Sequence, residues 1–115
     1  MPGARDDYLL RMIQQVAAAL RALKGRMEGG AQPDEVSRDA NSAIGELLGP
    51  QRSLMEMLDA KSAAALTGDA ERLDLWVELL RVQAIAATNA NDSAKAARLT
   101  ARADSLQANR PADRQ

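Results

Sequence analysis

The sequence predicts an all-α fold, a bundle of about five helices arranged as antiparallel hairpins. Apolar residues recur every three or four positions along most of the chain, and glycine or proline residues separate these periodic segments. No alternating run of β-branched or aromatic residues predicts a strand. A chain of 115 residues is typical of a single domain. We place this domain at residues 1–108.

The first helix is predicted to begin at Asp6-Asp7, where the acidic side chains can cap it and interact favourably with its dipole. Gly29-Gly30 end it. Apolar residues follow one another along it at alternating distances of four and three positions: Leu9, Ile13, Val16, Leu20, Leu23 and Met27. This spacing is the seam pattern of paired helices.

The same stripe predicts self-association. One domain with a single Trp and no Phe has limited bulk to cover so long a helix, and soluble monomers rarely expose a large apolar patch. We therefore expect the face formed by Leu9, Ile13, Val16 and Leu20 to pair with a second copy, since closed dimers are the commonest homo-oligomers. The alternative is that the second helix and the central helix over 70–88, both described below, cover the stripe within one chain. We interpret Tyr8 as a packing or interface residue.

The second helix is predicted to begin at Pro33, which suits a first turn and is followed by two acidic residues. Gly49-Pro50 end it. A short helical segment then covers 51–58. Asp59 can cap a further turn or two, which Gly68 closes.

The next helix, over 70–88, is predicted to form the centre of the domain. Asp69 caps it, and apolar residues cover most of its circumference, so it needs neighbours on several sides. Trp76 is its largest packing unit. After a polar turn, the last helix covers about 93–108, and the polar segment 109–115 has no apolar anchor and is predicted to be a disordered tail.

Small residues recur on the last two helices at spacings that resemble those of a tetratricopeptide repeat (TPR): Ala84, Ala87, Ala96 and Ala103. Small residues that face each other allow two antiparallel helices to pack closely. Three further segments, DYLLRMIQQ at 7–15, AIGELLG at 43–49 and GDAERL at 68–73, resemble a family of small bacterial proteins of unknown function with TPR-like helices. The resemblance implies a TPR-like bundle and brings no activity with it.

Several chemistries have no support in the composition. The chain has no Cys and no His, which excludes a thiolate nucleophile, an imidazole base and a zinc site with such ligands. Asp74 and Glu78 lie one helical turn apart and could form a metal or acid–base pair. We interpret them as a solvated strip with Arg81 in reach of Glu78, since carboxylate metal sites in bundles usually add His. We predict no enzymatic activity, no metal and no cofactor.

Charge and hydropathy limit the partners and the location. Lys and Arg number 15 against 16 Asp and Glu, whereas a nucleic-acid binder needs a basic excess. No apolar run reaches the roughly 20 residues that span a bilayer, and no signal peptide is recognisable at the start. We therefore expect a cytoplasmic protein that binds neither nucleic acid nor membrane.

One basic row remains, formed by Lys95, Arg98 and Arg102 on the last helix. It could accept an acidic partner, although such rows are more often the solvated face of a helix. The sequence as a whole favours a non-enzymatic helical scaffold that acts through protein–protein contact as a homodimer. The alternative is a small-molecule binder or enzyme that uses a cleft between the helical hairpins.

Overall fold

The structure, a computed structural model, describes residues 4–111, with side chains from residue 7 onward. It contains the helices α1 (Ala4–Glu28), α2 (Pro33–Leu48), α3 (Arg52–Met57), α4 (Ala60–Thr67), α5 (Ala70–Asn89) and α6 (Ser93–Ala108), and a 3-10 turn, Gly49–Gln51, joins α2 to α3. Residues 4–111 contain no strand, and five of these helices have eight or more residues. The all-α prediction of about five helices is confirmed.

The predicted helix ends are confirmed except at the start of α1, which begins at Ala4 rather than after Asp6-Asp7. The carboxylates of Asp59, Asp69 and Asp92 cap α4, α5 and α6; each accepts a hydrogen bond of 3.0–3.2 Å from the backbone N–H three residues later. The bonds from Ser62 also hold the pKa of Asp59 below its ordinary value. These ends follow from local chemistry, whereas Ala4 and Arg5 are themselves good helix formers that extend α1 backwards.

Hydrogen bonds show that α2 and α5 are antiparallel neighbours. Gln83, late in α5, donates from Nε2 to the carbonyl oxygen of Ser37, early in α2, over 3.4 Å. Arg72, early in α5, donates from Nε and Nη2 to the carbonyl oxygens of Leu47 and Leu48, at the end of α2. A cation at the carboxyl end of a helix also interacts favourably with the helix dipole.

Two helical hairpins build the bundle. A loop at 29–32 joins α1 to α2, and a loop at 90–92 joins α5 to α6. Because each loop is short and the two helices that it joins are in contact, the helices of each pair run antiparallel. Because α2 runs against both α1 and α5, those two helices run in the same direction.

The centre of the core is α5, as predicted. It contacts α1, α2, α4 and α6, and Trp76 is 1% exposed. The guanidinium of Arg102 on α6 lies 5.6 Å from the centre of the indole ring, within the range of a cation–π contact. Trp76 is thus enclosed by the bundle and by this arginine.

The polar strip of α5 does not pair within its own helix. Arg81 was predicted to reach Glu78, but it donates instead to Asp104 and Gln107 on α6. Glu78 forms an ion pair of 2.7 Å with Lys24 on α1. Because α5 lies between α1 and α6, charged partners from these helices replace the predicted partner from the next turn.

The end of α6 is held against α5. Arg110 donates to both carboxylate oxygens of Asp74, over 2.7 and 2.9 Å. Asp74 and Glu78 therefore bind cations from different parts of the chain, Asp74 the residue just beyond α6 and Glu78 a residue of α1. Of the tail predicted to be disordered, 109–115, the structure describes only the first three residues, and 112–115 lie outside the described residues.

The small residues of the predicted repeat pattern are buried where α5 and α6 meet: Ala84, Ala87, Ala96 and Ala103. Ala103 has no exposed surface. We expect Ala103→Leu to lower the free energy of unfolding by about 1–3 kcal/mol, because the added atoms must push close-packed helices apart. Urea denaturation followed by circular dichroism measures the change. The control Ala101→Leu, on the exposed face of α6, should stay within about 0.5 kcal/mol of the parent.

Candidate functional site

Three of the four residues predicted to form the self-association face are buried within one chain. Ile13, Val16 and Leu20 lie inside the fold, where α1 packs against α2 and α5. The expectation that this stripe lies uncovered is wrong for these three, and the alternative, coverage by neighbouring helices, holds. The reason is that α2 and α5 both pack against α1, and the stripe is buried from Ile13 to Leu23 but not in the first turns of the helix. Leu9, in those turns, is only partly buried.

The surface beside these first turns contains two grooves that meet at Tyr8 and Met12. One groove, of about 430 Å³, is also lined by Arg11, Gln15 and Glu46. The other, of about 550 Å³, extends to the 3-10 turn and to the junction of α4 and α5; its further lining residues are Leu9, Gln51, Leu66, Thr67, Gly68, Asp69 and Arg72. We call the two grooves and the side chains that line them the Tyr8 face.

Tyr8, the single tyrosine of the chain, has 68% of its surface exposed. An aromatic side chain gains free energy when it leaves water, and aromatic residues are enriched at protein interfaces for this reason. With about 100° of rotation per residue, Tyr8 and Met12 lie at the flank of the buried stripe rather than opposite it. They are therefore placed to contact both the bundle and a molecule bound beside it.

Three polar side chains of the larger groove, those of Arg72, Asp69 and Thr67, already have partners in the fold. Arg72 donates to the end of α2, as described above, and burial lowers the pKa of its guanidinium, while the charge of Asp69 opposes that shift. Asp69 caps α5, and the hydroxyl of Thr67 donates to the carbonyl oxygen of Ala63 over 2.9 Å. These groups hold the groove in shape rather than converge on its centre.

The basic row on α6 does not act as one surface. Lys95 and Arg98 are exposed, but Arg102 turns inward, where it stacks on Trp76 and donates from Nη2 to the carbonyl oxygen of Met55 over 2.9 Å. The assignment of Arg102 to a ridge for an acidic partner is therefore wrong. Its side chain has hydrocarbon and guanidinium parts that suit a partly buried site between α3 and α5.

Neither metal ligation nor membrane insertion has a structural feature to support it in the described part of the chain. Residues 7–111, whose side chains are described, contain no group of three or more carboxylates close enough to hold a metal ion. No helix in the same range combines the length and the apolar character needed to cross a bilayer. The chain matches no family model, and no similar protein is found among curated proteins or solved structures.

Sequence reasoning identified Leu9 and Tyr8 but missed the rest of the Tyr8 face. Arg72, Asp69 and Gln51 are distant from α1 in sequence, and no motif connects them to it. Only the packing of α1 alongside α5 brings the start of both helices to the same end of the bundle. One local signal for this face was available in the sequence. Tyr8 and Met12 are large apolar residues that lie outside the stripe of apolar residues spaced three and four positions apart.

Proposed function

We propose that this protein is a non-enzymatic helical scaffold that acts through protein–protein contact, and that its partner is a second copy of the chain. The observation that carries the proposal is the exposed Tyr8 ring between two grooves. The contact surface differs from the one that the sequence predicts: it is the Tyr8 face, which includes Leu9, and not the stripe continued by Ile13, Val16 and Leu20.

The shape of the Tyr8 face suits twofold pairing. In a twofold dimer the same patch meets itself, so the patch needs a projection and a recess side by side. Tyr8 supplies the projection and the adjoining groove of about 550 Å³ supplies the recess. Leu9, Met12 and Leu66 give that recess an apolar wall on which a second tyrosine ring could pack.

The charges of the Tyr8 face also suit a second copy. The smaller groove contains Arg11 and Glu46, and the larger contains Arg72 and Asp69, so each has one cation and one carboxylate. A patch of a single sign would repel an identical patch, whereas a balanced one can place opposite charges across a twofold axis. Charge therefore favours a copy of this chain over a strongly acidic or strongly basic partner at this face.

We expect sedimentation equilibrium of the full chain at micromolar concentration to give twice the 12.3 kDa mass of one chain. Tyr8→Glu should raise the dissociation constant of the dimer at least about thirtyfold, because truncating a central tyrosine typically costs 2 kcal/mol or more and the added carboxylate must be desolvated. Tyr8 is exposed, so this variant should keep the circular dichroism spectrum and melting temperature of the parent.

Leu10→Glu is the matched control. Leu10 is 53% exposed on the same helix but lies about 200° around it from Tyr8, and it lines neither groove of the Tyr8 face. It should leave the dimer unchanged. A monomer mass for the parent chain, or an equal loss of association in both variants, contradicts the proposal. Leu20→Glu is not a useful test, because Leu20 is buried and a charge there would unfold the chain.

The alternative, a small molecule in a cleft between hairpins, has one observation in its favour. The larger groove of about 550 Å³ is within the size range of ligand pockets. Its charged groups, Asp69 and Arg72, are engaged by the fold, however, which is why we place it second. Native mass spectrometry of freshly purified protein distinguishes the two: a mass addition lost in Leu66→Trp supports the ligand. TPR-like family membership and cytoplasmic location stay predictions from the sequence.

A further inference from the structure

A third groove, of about 400 Å³, lies beside the first half of α2. The larger groove of the Tyr8 face lies near the opposite end of the same helix, since its lining residue Arg72 donates to the carbonyl oxygen of Leu47. Helices α2, α5 and α6 all contribute to it. Its lining side chains are all polar: Asp34, Ser37, Arg38, Asn41, Gln83 and Lys95. The proposed dimer does not use this groove, so an inference from it stands independently.

The groove is built on rigid elements. Its four α2 residues are spaced i, i+3, i+4 and i+7, which places them on one face of the helix. Gln83 bridges from α5 to the carbonyl oxygen of Ser37, and Arg52 donates to Oδ1 and to the carbonyl oxygen of Asn41. These bonds orient both amide side chains while leaving Gln83 an acceptor and Asn41 its two amide donors.

The charge of the groove is positive. Arg38 and Lys95 approach it from α2 and α6, and neither forms an ion pair with a side chain of the described residues 7–111. Lys95 belongs to the first turn of α6, where the helix dipole adds positive potential. Asp34 is the one carboxylate that lines the groove. Arg98, one turn beyond Lys95 on α6, extends the cationic surface.

We propose that this groove binds a short acidic segment of another protein. Arg38 and Lys95 attract the carboxylates of the segment, and Asn41 and Gln83 bond to its backbone. A nucleic acid is the less favoured anion, because the groove has no aromatic side chain on which a base could stack. The proposed cationic surface therefore contains Lys95 and Arg98 of the row predicted on the last helix, together with Arg38 from α2, and it does not contain Arg102.

Fluorescence anisotropy of a labelled hexaglutamate peptide with the full chain tests the proposal. Binding should weaken as salt rises from low to physiological concentration. The double variant Arg38→Gln/Lys95→Gln should raise the dissociation constant about tenfold, and Asp34→Asn should lower it about twofold, since the first removes attraction and the second removes repulsion.

The matched control is Arg21→Gln/Lys61→Gln, which removes two exposed cations on α1 and α4. It should change the dissociation constant less than about twofold. An equal loss in this control, equal binding of hexaglutamine, tighter binding of a thymidine hexanucleotide, or no binding of hexaglutamate overturns the proposal. Tyr8→Glu should leave peptide binding unchanged, so failure here is separable from failure of the dimer.

Discussion

Trp76→Ala is expected to lower the free energy of unfolding by about 3–5 kcal/mol. The indole is fully buried on the helix that contacts α1, α2, α4 and α6 at once, so its loss leaves a cavity that no single helix can move to fill. A domain of this size has about 5–15 kcal/mol of stability in total. The variant should therefore melt at a much lower temperature, or fail to fold under conditions where the parent is stable.

Urea denaturation followed by circular dichroism measures this loss, since the variant has no tryptophan to report by fluorescence. Trp76→Phe is the graded control: it keeps a ring in the core, and Nε1 of Trp76 has no hydrogen-bond partner within residues 4–111 to lose. It should therefore cost less than the alanine variant. Emission typical of a water-exposed indole from the native parent would place Trp76 outside the core and contradict this account.

Met55→Ala is expected to cost about 2–5 kcal/mol. Met55 is the buried side chain by which the short helix α3 attaches to the core, and it has no exposed surface. Its carbonyl oxygen also accepts the hydrogen bond from Arg102, which covers Trp76. Loss of the side chain therefore loosens α3 and weakens the contact that closes the core over the indole.

Met57→Ala is the control for the same residue type in the same helix. Met57 is 84% exposed, so its replacement should change the free energy of unfolding by no more than about 0.5 kcal/mol. Parallel urea titrations of the two variants measure the difference. Equal stability of the two would show that α3 does not pack through Met55 in solution.

Local chemistry made most of the helical bounds predictable. Asp59 and Asp69 cap helices with their own side chains, and Gly68 ends α4 in the left-handed conformation at φ +72°, which glycine adopts without strain. Each signal acts within a few residues of the helix end. The start of α1 differs because the acidic pair Asp6-Asp7, which the prediction placed at the cap, lies inside the first turn of a helix that begins at Ala4.

The candidate site was less predictable, because it depends on which helix covers which. The stripe on α1 is the same whether a second copy or α2 and α5 cover it, so periodicity could not decide between Val16 as an interface residue and Val16 as core. Which charged residues form ion pairs also depends on which helices lie side by side. Glu78 can reach Arg81 on its own helix, yet it pairs with Lys24 because α1 lies alongside.

The sequence by itself determined the fold class, the helical segments after α1 begins, and Trp76 in a central helix, because periodicity, capping and turn chemistry act over a few residues. Only the tertiary structure decided that Met55 is buried in the core while Met57 is exposed. It also decided that Arg102 contacts the ring of Trp76 rather than extending the basic row, and that Tyr8 lies between two grooves. These outcomes depend on contacts between residues far apart in sequence. The free energy of such contacts is determined by the relative placement of the helices, which no local pattern encodes.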